Sequence, residues 1–188
     1  MMRVITGRAK GIKLYALDGL QTRPTSERAK EGLFSMIQFD IEGRKVLDLY
    51  AGTGQLGIEA LSRGAARAVF VDKSKDASGV IKKNLVKTGL EKSGKVICGD
   101  VDVFLKADSE KYDIVFIDPP YDLRAVPATL ESLLENKLLK PTSVVVCESR
   151  EKDVLDGYDG LDKYFEVIKK AVYGIANITI FKMRTEDR

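Results

Sequence analysis

The sequence predicts an α/β fold: a mostly parallel seven-stranded sheet closed by an antiparallel edge hairpin and preceded by a small amino-terminal β-hairpin. Three observations predict it. Short apolar runs of strand length alternate with helical patterns, which implies parallel strands covered on both faces. A glycine-rich turn follows the first of these runs. The last two runs stand on either side of Gly174, which suits a hairpin turn.

Val4-Ile5 and Ile12-Lys13-Leu14-Tyr15 flank Gly7 and Gly11, the pattern of the small first hairpin. Thr22-Arg23-Pro24-Thr25 reads as a turn, after which Thr25 or Ser26 can cap a helix with Ala29, Leu33, Phe34 and Ile37 on one face. Strand runs follow at Val46–Tyr50, Ala68–Val71, Val96–Cys98, Ile114–Ile117 and Val144–Cys147, with the closing pair at Phe165–Ile168 and Ile175–Phe181. Helices are expected through Ile58 and Leu61 to a stop at Gly64, through Ile81 and Leu85 to a stop at Gly89, and through Val126 to Leu134. The expected organisation is a basic hairpin over residues 1–20 and one larger domain over 21–188, with no internal repeat.

The 188 residues are 44% hydrophobic and 31% charged, an ordinary composition for a domain that needs no disulfide or metal staple. No run approaches the ~20 apolar residues of a membrane span, and the opening lacks a secretory stretch, so a cytoplasmic location and no membrane partner are expected. The chain has no histidine and no Cys-x-x-Cys pair, which argues against common zinc sites and removes histidine-based triads; no metal is expected. Cys98 and Cys147 lie in or beside apolar runs and are expected to be buried structural thiols.

Gly52-x-Gly54-x-x-Gly57 matches the dinucleotide fingerprint, with Asp72 twenty residues on. Asp48 favours a different ligand. A carboxylate four residues before Gly52 repels a pyrophosphate and suits the cationic amino-acid end of S-adenosylmethionine. The expected cofactor contacts are Asp48, Tyr50, Gly52, Thr53 and Gly54 in the turn, Asp72 at the ribose hydroxyls and Asp100 at the adenine amino group, with Lys73 and Val101 beside them. Asp72 and Asp100 fit strand-end helix caps equally well on position alone.

Asp118-Pro119-Pro120-Tyr121 follows the fourth apolar run. An exocyclic amine is a weak nucleophile because its lone pair delocalises into the ring. It must be held in line with the transferred methyl. The Asp118 carboxylate and the Pro119 carbonyl can accept the amine hydrogens, Pro119 and Pro120 stiffen the loop, and Tyr121 offers a face to an extruded base. The two motifs together point to methyl transfer onto a nucleobase.

Net charge is +3 but uneven. Residues 1–30 hold seven basic and two acidic side chains, or +5, and the other 158 hold 24 and 26, or −2. A basic arm on a weakly acidic body suits contact with phosphates.

At these residues the chain resembles the bacterial 16S ribosomal RNA guanine-N2 methyltransferases. The resemblance runs through Arg3-Val4-Ile5-x-Gly7-x-x-x-Gly11-x-x-Leu14, Arg23-Pro24-Thr25-x-x-Arg28 and Leu33-Phe34. It continues through Asp48-Leu49-Tyr50-Ala51-Gly52-Thr53-Gly54, Phe70-Val71-Asp72, Asn84-Leu85, Asp118-Pro119-Pro120-Tyr121 and Tyr173-Gly174. It implies a Rossmann-like S-adenosylmethionine-dependent methyltransferase acting, as a monomer, on 16S RNA within the small subunit or its assembly intermediate. It also implies phosphate contacts from Arg3, Arg8, Lys10 and Lys13, and a place for Arg23 and Thr25 near the methionine end of the cofactor. On sequence alone those two residues are equally helix-start caps. Adenine-N6 methylation of DNA or RNA, a non-catalytic RNA-binding assembly factor and a nicotinamide oxidoreductase remain the alternative readings.

Overall fold

The computed structural model describes residues 2–17, 27–120, 125–150, 154–155 and 160–184. In chain order its elements are α1 (Glu27–Met36), β1 (Lys45–Leu49), α2 (Gln55–Ser62), β2 (Arg67–Asp72), α3 (Lys75–Thr88) and β3 (Gly94–Cys98). Then come α4 (Val101–Ala107), β4 (Tyr112–Ile117), α5 (Ala125–Glu135), β5 (Leu139–Ser149), β6 (Phe165–Tyr173) and β7 (Ala176–Met183). The seven strands form one sheet in the order β3-β2-β1-β4-β5-β7-β6. β1 to β5 pair in parallel, and β7 pairs antiparallel with both β5 and β6. Gly174 turns the closing hairpin with φ 66°, as the sequence predicts.

Alternate residues of each strand face opposite sides, so the sheet feeds two cores. Val46, Phe70, Ile114 and Phe116 pack with α1, α2 and α3 on one side. Leu47, Leu49, Val71, Val115 and Ile117 pack with α4 and α5 on the other. Three features depart from the sequence reading. α4 was not anticipated, because seven residues are too few to show a helical period. β5 begins at Leu139, five residues earlier than its apolar run, since its first residues include exposed polar positions. Cys98 is exposed at the end of β3 and only Cys147 is buried, because β3 borders just one neighbour and its burial is partial.

The amino-terminal segment folds back on itself through a single antiparallel bridge, Arg3 with Lys13, flanked by Val4 N–H to Ile12 O and Leu14 N–H to Met2 O. Val4, Ala9 and Leu14 enter the same core as α1 and α2. The hairpin lies along α2. Its open end meets the start of that helix, where Thr53 Oγ1 donates to Met2 Sδ, and its tip meets the helix end, where Ser62 O accepts from Arg8 N–H. Glu59, midway along α2, accepts from Ile5 N–H at 2.8 Å and Thr6 N–H at 3.0 Å.

Candidate active site

Strand order reverses between β1 and β4, and in open α/β sheets ligands bind outside the carboxyl ends of the strands at that switch point. Leu49 of β1 is in register with Ile117 of β4. The turn that starts at Tyr50 and the loop that starts at Asp118 therefore leave neighbouring strands side by side. Asp72, Asp100 and Glu148 stand at the same edge, at or just beyond the ends of β2, β3 and β5.

The turn is built for close approach. Gly52 and Gly54 have φ of 55° and 77°, and Tyr50 adopts φ 57°, which few side-chain-bearing residues do. The Tyr50 hydroxyl and Thr129 Oγ1 lie 3.0 Å apart, anchoring the tyrosine to α5. Strain of this kind gathers at ligand sites when the surroundings hold it.

Asp48 is 2% exposed and its Oδ2 accepts from Gly57 N–H at 2.8 Å, so it pins the first turn of α2 from the neighbouring strand. The sequence reading took it for a ligand contact; the fold gives it this second partner. Burial pushes the Asp48 carboxyl up to about 8, against the pull of the Gly57 N–H and with a further push from Asp72. Asp72 accepts from Gly52 N–H through one oxygen and from Ser74 N–H through the other, both at 2.8 Å. A carboxylate has about four lone-pair sites, so acceptor capacity remains. Asp100 caps α4 through Oδ1 alone, accepting from Asp102 and Val103 N–H, and its Oδ2 carries no part of the cap. The cap and ligand readings of Asp72 and Asp100 are thus compatible. Lys73 is exposed and Val101 buried beside them.

Asp118 is half-buried. Burial, then the charges of Glu148 and Asp48, raise its carboxyl well above the usual range. Pro119 and Pro120 follow it; Tyr121, Arg23 and Thr25, with the predicted cap at Thr25 or Ser26, lie outside the described residues. Arg3, Arg8, Lys10 and Lys13 are all exposed, and Arg3 pairs with Glu27 at 3.1 Å.

Two residues that motif reading did not assign matter here. Asn84, fully buried on α3, donates to the carbonyls of Thr53 and Tyr15 and accepts from Tyr15 N–H, tying the turn to the amino-terminal segment. The Asn84-Leu85 pair of the family resemblance was its only signal. Glu148 reaches the site because β5 runs parallel to β4, and an acid closing an apolar run was its signal.

Gly57 shows how tightly the turn is packed. A Cβ there would fall 2.3 Å from the Phe70 ring and 3.0 Å from Asp48 Oδ2. Gly57→Ala is expected to destabilise by about 1–3 kcal/mol through overpacking and to weaken cofactor binding by displacing the Asp48 pin. Phe70→Leu in the same chain should recover part of the loss. Melting temperature and cofactor titration check both, and an undisturbed Gly57→Ala protein would contradict the packing argument.

The acceptor set can be tested against a sulfonium amino-acid nucleoside. Five acids, Asp48, Asp72, Asp100, Asp118 and Glu148, stand at this edge, the turn brings backbone close, and Gln55 Oε1 and Ser78 Oγ are buried without a hydrogen-bond partner among the described residues. Gln55 follows the turn directly. Ser78 lies one helical turn before Ile81, which packs on Gly54. Acids and unpartnered acceptors suit a cation with donor groups, so the residues fit. Among the described residues no cluster of His, Cys, Asp or Glu could hold a metal, and no helix is long and apolar enough to cross a membrane.

Fold and site together define a Rossmann-like methyltransferase. The chain belongs to the family described as conserved hypothetical protein 95, whose model matches residues 2–182. The ribosomal RNA small subunit methyltransferase D of Haemophilus influenzae is 36% identical over 156 residues, covering 81% of this chain and 80% of that protein. Its Escherichia coli K12 counterpart is 33% identical over 156 residues, covering 82% and 77%. Among solved structures, the Escherichia coli protein yhhF, provisionally described as a methyltransferase, superimposes with a TM-score of 0.86 at 30% identity, covering 98% of this chain and 99% of its own.

Proposed function

We propose that this protein transfers a methyl group from S-adenosylmethionine to the N2 amine of a guanine in the 16S RNA of the small ribosomal subunit. The observation that carries this reading is the meeting of the 50–54 turn and the Asp118-Pro119-Pro120 loop at the strand-order switch point. The relatives described as small subunit methyltransferase D support the choice of RNA. Resemblance alone supports guanine N2 over other exocyclic amines.

The cofactor, when bound, supplies an electrophilic methyl on a cationic sulfur. Asp48 offers negative charge toward that cation, and Asp72 and Asp100 offer acceptors toward the ribose and adenine. Asp118 and the Pro119 carbonyl accept the amine hydrogens and turn the nitrogen lone pair toward the methyl. Arg3, Arg8, Lys10 and Lys13 contact phosphates, making residues 1–20 the RNA-gripping element on a 21–188 catalytic body.

A pH dependence follows. The folded Asp48 carboxyl titrates near 8, above its unfolded value, so its contribution to folding is full at low pH and lost as pH rises from about 4 through 8. A cationic ligand favours the ionised form. Cofactor affinity should therefore increase roughly tenfold between pH 6.5 and 8.5, with proton release on binding. Calorimetry in buffers of differing ionisation enthalpy reads that proton directly, and binding without proton release would refute the coupling.

The deciding experiment is methyl transfer from labelled S-adenosylmethionine to small subunits from a strain lacking this protein, to bare 16S RNA and to duplex DNA. N2-methylguanosine in the subunit RNA supports the proposal. Methyladenine in any of the three replaces it with an adenine-N6 activity. Cofactor-independent RNA binding with no transfer replaces it with an assembly-factor role.

A further inference from the structure

The basic hairpin ends far from the reactive loop, and its tip helps to form a cleft. The cleft has a volume of about 630 Å³ and lies at the carboxyl end of α2, on the sheet edge where β2 and β3 begin. Thr6, Gly7 and Arg8 line it from the hairpin, Arg63 from the helix end, and Gln38 and Ser93 from two 3-10 turns. From Gly54 to Ser62 the chain rises about 12 Å along α2, so this cleft lies at the opposite end of that helix from the glycine turn.

We infer that this cleft is a second docking point for the substrate RNA, taking a backbone phosphodiester on the guanidinium groups of Arg8 and Arg63. The inference rests on the RNA reading proposed above.

Charge and preorganisation support it. Arg8 is exposed, and its backbone N–H is fixed on Ser62 O at 2.9 Å. Arg63 is held on two sides: its Nε donates to Glu59 at 2.8 Å, and its guanidinium stacks 4.8 Å over the Phe34 ring. A guanidinium has five N–H donors in a fixed fork, so one bond to Glu59 leaves most of them for a ligand. Two contributions oppose an anion. Glu42 packs beside Gly64 of the lining, and a helix carboxyl end carries partial negative charge. The second is blunted, since Ser62 O is taken by Arg8 N–H, and Gly64 O, just beyond the helix, by Gly43 N–H. Counting Glu59, which Arg63 and Lys30 share, three positive groups (Arg8, Arg63 and Lys30) stand against two acids (Glu42 and Glu59), which leaves a net positive charge at the cleft. Thr6, Gln38 and Ser93 add neutral polar groups suited to phosphate oxygens.

The test is binding of a 16S RNA transcript across 50–300 mM salt by Arg8→Gln, Gln38→Glu and Ser93→Glu, with Ala128→Glu on α5 as the control for added charge. None of these residues belongs to the cofactor turn or the reactive loop. The three cleft variants are expected to bind three- to tenfold more weakly at low salt, and Arg8→Gln should reduce the salt slope by about one. Their cofactor affinity and melting temperature should match the parent. If Gln38→Glu and Ser93→Glu bind like the Ala128→Glu control while the parent protein methylates subunits, the cleft is excluded and the activity stands. If the parent neither binds RNA nor methylates subunits, both readings fall.

Discussion

Replacing Asp118 with alanine is expected to reduce turnover at least about a hundredfold while leaving cofactor affinity within a few-fold of the parent. The side chain leaves β4 beside the cofactor turn and would fix the geometry of the amine, an interaction made in the transition state rather than in cofactor binding. Asp118→Asn separates position from charge. An amide oxygen still accepts a hydrogen bond, so this variant should keep far more activity than the alanine. Single-turnover rates and cofactor titrations on the same samples give both quantities. Equal, severe losses in the two variants would make the negative charge essential. Unchanged turnover in Asp118→Ala would remove Asp118 from the reaction altogether.

The largest effect on stability is expected at Glu59, far from any chemistry. Its carboxylate, 0% exposed, accepts from Ile5 and Thr6 N–H and from Arg63 Nε, and lies 3.5 Å from the Lys30 ammonium. Lys30 also donates to Arg3 O at 2.6 Å. Burial lowers the Lys30 pKa, and the neighbouring Glu59 opposes that shift. Glu59→Ala leaves a buried cation and several donors without an acceptor, at a cost of about 3–5 kcal/mol. For a chain of this length that lowers the melting temperature on the order of 10 °C. The segment before α1 should then become the first site of proteolytic cleavage, because its main tie to α2 is gone. Pairing Glu59→Leu with Lys30→Met should cost less than Glu59→Ala, since no charge is stranded. A Glu59→Ala protein that melts with the parent would show that the hairpin is held by its apolar contacts alone.

Much of the sheet was legible because its strands are buried on both faces. Ala68–Val71 and Ile114–Ile117 read as strands from unbroken apolar runs and Val46–Leu49 from a run interrupted by Asp48, and Gly64, Gly89 and Gly174 mark stops that the structure uses. β6 was less legible. It is an edge strand with mostly exposed residues, so only its first residues carried an apolar signal and its extent to Tyr173 went unseen. α4 escaped for want of length. Cys98 misled because an apolar neighbourhood in sequence does not bury a residue at the end of a thinly covered strand.

Local sequence patterns alone carried the fold class, the glycine turn after β1, the Asp-Pro-Pro loop after β4 and the basic character of the first residues. Each of these is local: a periodicity, a glycine pattern, a Pro-Pro pair or a charge count over consecutive positions. The three-dimensional packing added that Asp48 pins α2, that Glu148 stands near enough to raise Asp118, and that Asn84 ties the turn to Tyr15. It also decided that the hairpin tip lies at the edge away from the reactive loop. Those facts join residues 9 to 69 positions apart, and no short window holds both partners. Electrostatic shifts in particular depend on burial and on which charges end up adjacent, and both exist only once the chain has folded.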